Sequence, residues 1–186
     1  LSLHDALPIF GKFVSESMID LGQLYQIGRY CDEEVDDGFG GKEKRFAINT
    51  QITSRQDAYR LIQDIAGAFR GMVFWAGGMV NIMQDSPSDP VMLFTNANVK
   101  DGLFTYKGSA RKDRPSVALI TYNNKQDGYK QNVEYVEDQE AMARYGERKT
   151  EAVAFGCTSR GQAHRVGLWL LYTARMESDM ITFTAG

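Results

Sequence analysis

The apolar positions of the chain change their period several times, and each change marks an element. Behind Asp20, Leu21, Leu24, Tyr25, Gly28 and Cys31 share one face at 3.6-residue spacing, which predicts a short helix capped by Asp20 with Cys31 in the core. The acidic, glycine-rich stretch from Asp32 to Gly41 is expected to be a loop. From Arg45 to Ile52 the period becomes two, with Phe46, Ile48 and Ile52 on one side, the signature of a half-buried strand. Ser54 with Asp57 three residues on resembles a capping box. Ala58, Leu61, Ile62, Ile65 and Phe69 then form a helical stripe that Gly71 is expected to end. Met72 to Trp75 and Met79 to Met83 flank Ala76-Gly77-Gly78, which predicts a hairpin with a three-residue loop. Residues 10–88 thus form a helix followed by a β-α-β-β module.

Pro87 and Pro90 interrupt the pattern between Asp85 and Pro90, because each removes a backbone donor and excludes its predecessor from helix. A second module, 89–186, is predicted to begin there. Its strands are expected at 91–95, 103–107, 116–122 and 129–136, the last two joined by the turn-rich residues 123–128. Asp138 can cap a helix through Tyr145 that Gly146 ends, and Lys149 to Ala154 is expected to be extended. Thr158 or Ser159 can cap a long helix, about 159–177, and the chain from Thr182 to Gly186 reads as part of a strand. In the long helix Ala163, Val166, Gly167, Leu170, Leu171 and Ala174 share a face, while Leu168, Trp169 and Tyr172 lie beside it. A helix apolar nearly all round is buried on more than one side. Leu168, Trp169 and Tyr172 are therefore the candidate contact with a neighbouring domain or subunit. The fold class is α+β: two small modules of antiparallel sheet with packed helices.

The chain has 186 residues, 43% apolar and 24% charged, enough for a real core. Its formal net charge of −3, with acids and bases interleaved, gives no electrostatic pull towards nucleic acid. Two cysteines, Cys31 and Cys157, are too few for a disulfide framework and fit a reducing compartment. No apolar run approaches the roughly 20 residues that span a bilayer. Leu1 to Ile9 lack the basic start and long apolar centre of a secretory signal. Back-translated, His4 to Ile9 can read CAC GAC GCT CTT CCG ATC, which looks like a sequencing adapter. Residues 1–9 are accordingly expected to be a scar, with the natural chain continuing beyond both termini.

Candidate chemistry is sparse. Cys157, seven residues before His164, could serve as a nucleophile with its base only if sulfur and ring nitrogen met within about 3 Å and a third group oriented the ring. The plainer expectation is a small buried cysteine beside a helix. No ligand cluster with metal spacing exists. If Gly38 is aligned with the EF-hand glycine, Val35 and Lys44 fall at ligand positions. Gly38 to Lys42 lacks the Ser or Thr of a phosphate loop, since Glu43 follows the lysine. Arg111 to Arg114 is a small basic cluster of the kind found in solvated loops, and no carboxylate pair has an apolar setting suited to acid catalysis. Trp75 and Trp169 are expected in core or interface. No catalytic, cofactor-binding or metal residue is assigned.

Several collinear motifs carry a resemblance: Tyr30-Cys-Asp32, Asp37 to Gly41 before Arg45-Phe46, Gln84 to Asp89, Ser109 to Arg114, Val136 to Asp138, Ala143 to Gly146 and Ala154 to Arg165. From about Phe13 to Gly186 the chain resembles the host specificity protein J family, the central tail tip proteins of lambda-like siphophages. The resemblance implies one portion of a much longer polypeptide that forms a homotrimer, closes the tail tube as a hub of small α+β modules, and supports a C-terminal receptor-binding region not included here. Its implied partners are itself and other tail tip and tail tube proteins, with the host outer-membrane receptor reached only through that absent region and no direct nucleic-acid binding. The implied location is the virion tail tip, after synthesis and assembly in the host cytoplasm. The sequence departs from the family at Pro115 and at Asn123 to Gln126, where members more often have a histidine after the arginine and an Asp-Pro turn. The family offers neither catalytic residues nor a cofactor. The alternative is a tail-associated cell-wall hydrolase using Cys157 and His164.

Overall fold

The structure, a computed structural model, describes residues 15–53, 57–108, 114–177 and 179–185. The adapter-like residues 1–9, Ser54 and Arg111 to Asp113 lie outside the described residues. Contacts divide the chain into two compact units. The first comprises residues up to Asp85 with Tyr122–Asn132 and Val153–Ala163, and the second Ser86–Thr121, Val133–Ala152 and the residues from His164 onward.

In the first unit, helix α1 (Leu21–Asp32) starts where predicted, with the Asp20 carboxylate accepting a hydrogen bond from Gln23 N at 2.9 Å. Its packed face is rotated from the expected one. Ile27 is its buried residue, Leu24, Tyr30 and Cys31 are half-buried, and Leu21 and Tyr25 are exposed. Leu24, Ile27 and Cys31 also share a helical face, and that face packs, leaving Cys31 at the margin of the core.

The acidic stretch is one side of a hairpin and not a loop. Strand β1 (Glu34–Asp36) pairs antiparallel with β2 (Lys42–Lys44), setting Glu34 opposite Lys44 and Asp36 opposite Lys42. Opposite charges facing across strands stabilise such a ladder by a few tenths of a kcal/mol each, up to about 1. The turn closes on Asp37, whose carboxylate accepts from Phe39 N and Gly41 N at 2.7 and 2.9 Å.

The strand expected at 45–52 does not form. Phe46 is buried as its alternation suggested, yet Ile52 is exposed, and the backbone amides go elsewhere: Phe46 N to Cys31 O, Ala47 N to the Gln162 side chain, Asn49 N to Gly156 O. Extended backbone satisfied by scattered acceptors is not a ladder.

Asp57 caps helix α2 (Ala58–Gly67), accepting from Arg60 N at 2.8 Å. Ala66 packs with Val73 and Val80, flanked by Ile62, Phe69 and Ile82, against the hairpin of β3 (Gly71–Ala76) and β4 (Met79–Gln84). Two details differ from expectation. The left-handed residue after the helix is Arg70, at φ 59°, not Gly71. Ala76 pairs with Met79, so the hairpin loop has two residues, Gly77 and Gly78, both at the positive φ that the favoured tight turn demands.

Strand β5 (Thr105–Gly108), in the second unit, precedes β6 (Val117–Asn124) and β7 (Lys130–Glu137), which share a three-stranded sheet of order β7-β6-β8 with β8 (Lys149–Val153). Asp138 caps the intervening helix α3 (Gln139–Tyr145), accepting from Glu140 N and Ala141 N. Central strand β6 buries Ala118, Ile120 and Tyr122 on one face and Val117 on the other, where Leu119 and Thr121 are half-buried, whereas β7 alternates buried Glu134 and Val136 with exposed Val133, Tyr135 and Glu137. The sheet is not wholly antiparallel. Val117 N bonds Arg148 O at the start of β6 and Asn123 N bonds Cys157 O near its end, so β8 runs parallel to β6.

Helix α4 (Arg160–Met176) leads to β9 (Asp179–Thr182), which pairs antiparallel with β5. The expected strand beyond Thr182 reduces to a bridge between Ala185 and Val99. The strand expected at 91–95 is absent. The Asn98 side chain donates to Leu93 O and accepts from Thr95 N, at 2.8 and 2.7 Å, so a local side-chain turn takes backbone groups a ladder would need.

Candidate functional site

Helix α4 and the residues that seat its start form the most constrained region. The cap is Ser159: its Oγ accepts from Gln162 N at 3.4 Å and hydrogen-bonds the Glu43 carboxylate, and its carbonyl accepts from Ala163 N. Thr158 works differently, accepting from Asn49 Nδ2 at 2.9 Å. Gln162, buried, accepts from Ala47 N at 3.0 Å. These bonds strap residues 43–49 across the helix start. Gly161 is required there, since a Cβ would stand 2.6 Å from Asp37 O.

Further along, Ala163, Gly167 and Leu171 are buried at four-residue spacing. A Cβ at Gly167 would meet Val136 Cγ2 at 2.6 Å, so glycine lets the helix axis approach β7 and β6 closely. His164 Nδ1 lies 3.1 Å from Oε1 of Glu134, a carboxylate almost wholly buried. At the other end Arg175 Nε sits 3.2 Å from Asp138 Oδ2, and its guanidinium also pairs with Glu140, tying the end of α4 to the cap of α3.

Of the residues assigned to an interface, Leu168 and Trp169 are half-buried, and Tyr172 is 43% exposed with the Arg175 guanidinium 5.3 Å above its ring. Cys157 is 1% exposed, and its thiol donates to Ser159 O at 3.2 Å. A nucleophile needs access and a base to take its proton; this sulfur is enclosed, and its S–H is hydrogen-bonded to a backbone carbonyl. Cys31, the other thiol, is half-buried, and its pKa is raised, first by desolvation. Among the described residues no group of three or more His, Cys, Asp or Glu is placed to hold a metal, and no helix is long and apolar enough to cross a membrane.

Residues 57–186 match the family described as putative phage tail protein. The chain belongs to that family. The tip attachment protein J of Escherichia phage SECphi27 is 42% identical over 168 residues, covering 90% of this chain and 14% of that protein. The tip attachment protein J of Escherichia phage SECphi4 is 33% identical over 177 residues, 95% of this chain and 16% of that protein. The chain thus spans about a seventh of the length of these relatives, and the resemblance carried by its collinear motifs to tail tip proteins holds over nearly its whole length. The polar strap from Glu43, Ala47 and Asn49 to Ser159, Gln162 and Thr158 was not legible in sequence, because it joins residues more than a hundred positions apart through side chains that look like ordinary surface polars.

Proposed function

We propose that this chain is a structural module of a phage tail tip, one part of a longer central tip polypeptide that trimerises into the hub closing the tail tube and supports the receptor-binding region. Similarity to tip attachment proteins over 90% of the chain supports this reading above all else. In this reading the side of α4 bearing Leu168, Trp169 and Tyr172 meets a neighbouring subunit, because aromatic side chains that are not fully covered at home favour burial against a partner. Its partners are further copies of itself and other tail tip and tail tube proteins, and it performs no catalysis. It is made in the host cytoplasm and ends in the virion.

The decisive experiment is multi-angle light scattering of the complete tip polypeptide, parent against Trp169→Glu, with circular dichroism as a check of folding. The parent is expected to be a trimer and the variant a folded monomer. A monomeric parent overturns the trimeric hub, and a fully trimeric variant removes this side of α4 from the contact.

A further inference from the structure

Every residue from Pro87 to Asn98 is exposed, and none from Asp85 to Thr95 belongs to a helix, strand or turn. Pro87 and Pro90 cannot donate to a ladder, and each holds its predecessor out of helix, which keeps the segment extended. Val91, Met92 and Leu93 stand 100%, 60% and 78% exposed. Asn98 ties the backbone again, its side chain holding Leu93 O and Thr95 N. Phe94 is held as well, its ring 4.5 Å from that of Phe183 in the wall of an open aromatic cavity of about 760 Å³ that Phe104, Tyr106 and Ile181 complete. Met92–Leu93 is thus the last peptide bond before the turn whose carbonyl and amide both lie outside it.

An endopeptidase takes its substrate as an extended strand, pairs with backbone groups that are free to pair, and cuts beside a side chain that fits its specificity pocket. Exposed apolar side chains alone do not meet that demand. Tyr25, Tyr59, Trp75 and Tyr106 are about as exposed as Met92, but their backbone lies in α1, α2, β3 and β5. Nicking concentrates where exposed backbone has no ladder to leave. Between Arg70 and Lys100 there is no Lys or Arg, so an enzyme specific for basic residues finds nothing to cut here. An apolar pocket does.

We propose that Val91–Phe94 is a cleavage site for a serine endopeptidase with an apolar specificity pocket, cut at Met92–Leu93, and that the cut chain stays one folded particle. Water supplies the hydroxyl to the Met92 carbonyl carbon and the hydrogen to the Leu93 nitrogen, so protease and water suffice. The second half follows from how the first unit is built. It takes its residues up to Asp85 from one side of the cut, and Tyr122–Asn132 and Val153–Ala163 from the other. Ala47 N bonds the Gln162 side chain, Asn49 Nδ2 bonds Thr158 Oγ1 and Asn49 N bonds Gly156 O, at 3.0, 2.9 and 2.8 Å. Gly156 and Gly161 bring the two pieces close, since a Cβ would stand 2.4 Å from Ile48 Cγ1 at the first and 2.6 Å from Asp37 O at the second. Neither half of the proposal depends on the trimer.

Brief digestion of the chain with a trace of chymotrypsin, its cuts mapped by mass spectrometry, tests the site. From Ser15 onward the Met92–Leu93 bond is expected to be cut at least about tenfold faster than any other, because the others wait for local opening of the fold. Met92→Asp together with Leu93→Asp should remove this cut, while subtilisin, whose pocket is broader, should still cut that variant between Pro87 and Asn98. A first cut outside Val91–Phe94, digestion spread along the chain, an undiminished rate in the variant, or resistance of the variant to subtilisin overturns the site. Gel filtration of the cut parent decides the second half: both fragments should elute together at the volume of the uncut chain and separate only in urea, at a lower concentration when Asn49→Ala and Gln162→Ala are present. Fragments that part without urea overturn the single particle.

Discussion

The sheet β7-β6-β8 with helix α4 and the ribbon β5-β9 differ in what completes them. In the first, Val117, Ala118 and Ile120 of β6 and Leu171 and Ala163 of α4 are fully buried, and even a helix-interior glycine is fixed by the Val136 side chain behind it. In the second, Tyr106, Met180 and Ile181 all stand exposed. Burial differs between the two, so substitutions in them should differ in what they do to stability.

The largest effect tests that difference directly. Leu171→Ala should lower unfolding stability by about 2–5 kcal/mol, the usual range for a leucine with no room to relax around the void. Ile181→Ala, in the ribbon, should change it by no more than about 0.5 kcal/mol, as for other surface positions. Urea midpoints measured on both variants decide it; equal losses would mean that the ribbon is as integral to the fold as the sheet.

Asp138→Ala should cost about 1–2 kcal/mol, because it removes the cap of α3 and half of the Arg175 clamp together. Restoring only the cap with Asp138→Asn should recover most of that loss. If Asn fails to do so, the ion pair at the end of α4 outweighs the cap.

Much of this contrast was legible beforehand, and the reasons for the rest are local. Caps at Asp20, Asp57 and Asp138 depend on neighbours three residues away and were readable or nearly so, as were the β3-β4 and β6-β7 hairpins. The period-two run at 45–52 misled because Phe46 packs beside Tyr30 and the Arg70 guanidinium, while Ala47 and Asn49 are strapped to a distant helix start and enter no ladder. The strand expected at 91–95 has the right residues for a strand, but Asn98 captures its backbone. The apolar stripe of α1 was assigned one position off because Ile27 was passed over. The strap at the start of α4 and the aromatic cavity were not legible, the cavity because it depends on β5 pairing with a strand more than seventy residues away.

Two glycines sharpen the comparison with opposite signs. Gly167→Ala gains helix propensity of about 1 kcal/mol, but its Cβ would stand 2.6 and 2.9 Å from Val136 Cγ2 and Cβ, and the latter is fixed to the strand. Overpacking of about 1–3 kcal/mol should win, giving a net loss. Gly28→Ala in α1 meets nothing within 4 Å and should stabilise by about 0.4–1 kcal/mol. A stabilising Gly167→Ala would show that the helix can lift from the sheet without cost.

The two thiols extend the contrast to chemistry. Cys157 is enclosed, so iodoacetamide should reach it only through opening of the fold, and sub-denaturing urea should accelerate its labelling. Cys31 is half-buried at the margin of α1, and its pKa is raised above the ordinary 9.0, first by desolvation and also by Asp32, against the lowering hydrogen bond from Gln84 and the charge of Arg45. The folded chain thus holds this proton more tightly than the unfolded chain. Its contribution to stability is intact below pH 9.0 and declines as pH rises through the folded value, so the parent should lose stability relative to Cys31→Ser only above about pH 9. Labelling of Cys31 at pH 8 should be slower than in the unfolded chain, keep rising past pH 9, and slow further in Gln84→Ala, where the amide that steadies the thiolate is gone. Faster labelling in Gln84→Ala would mean that the side chain shields the sulfur more than it stabilises its charge.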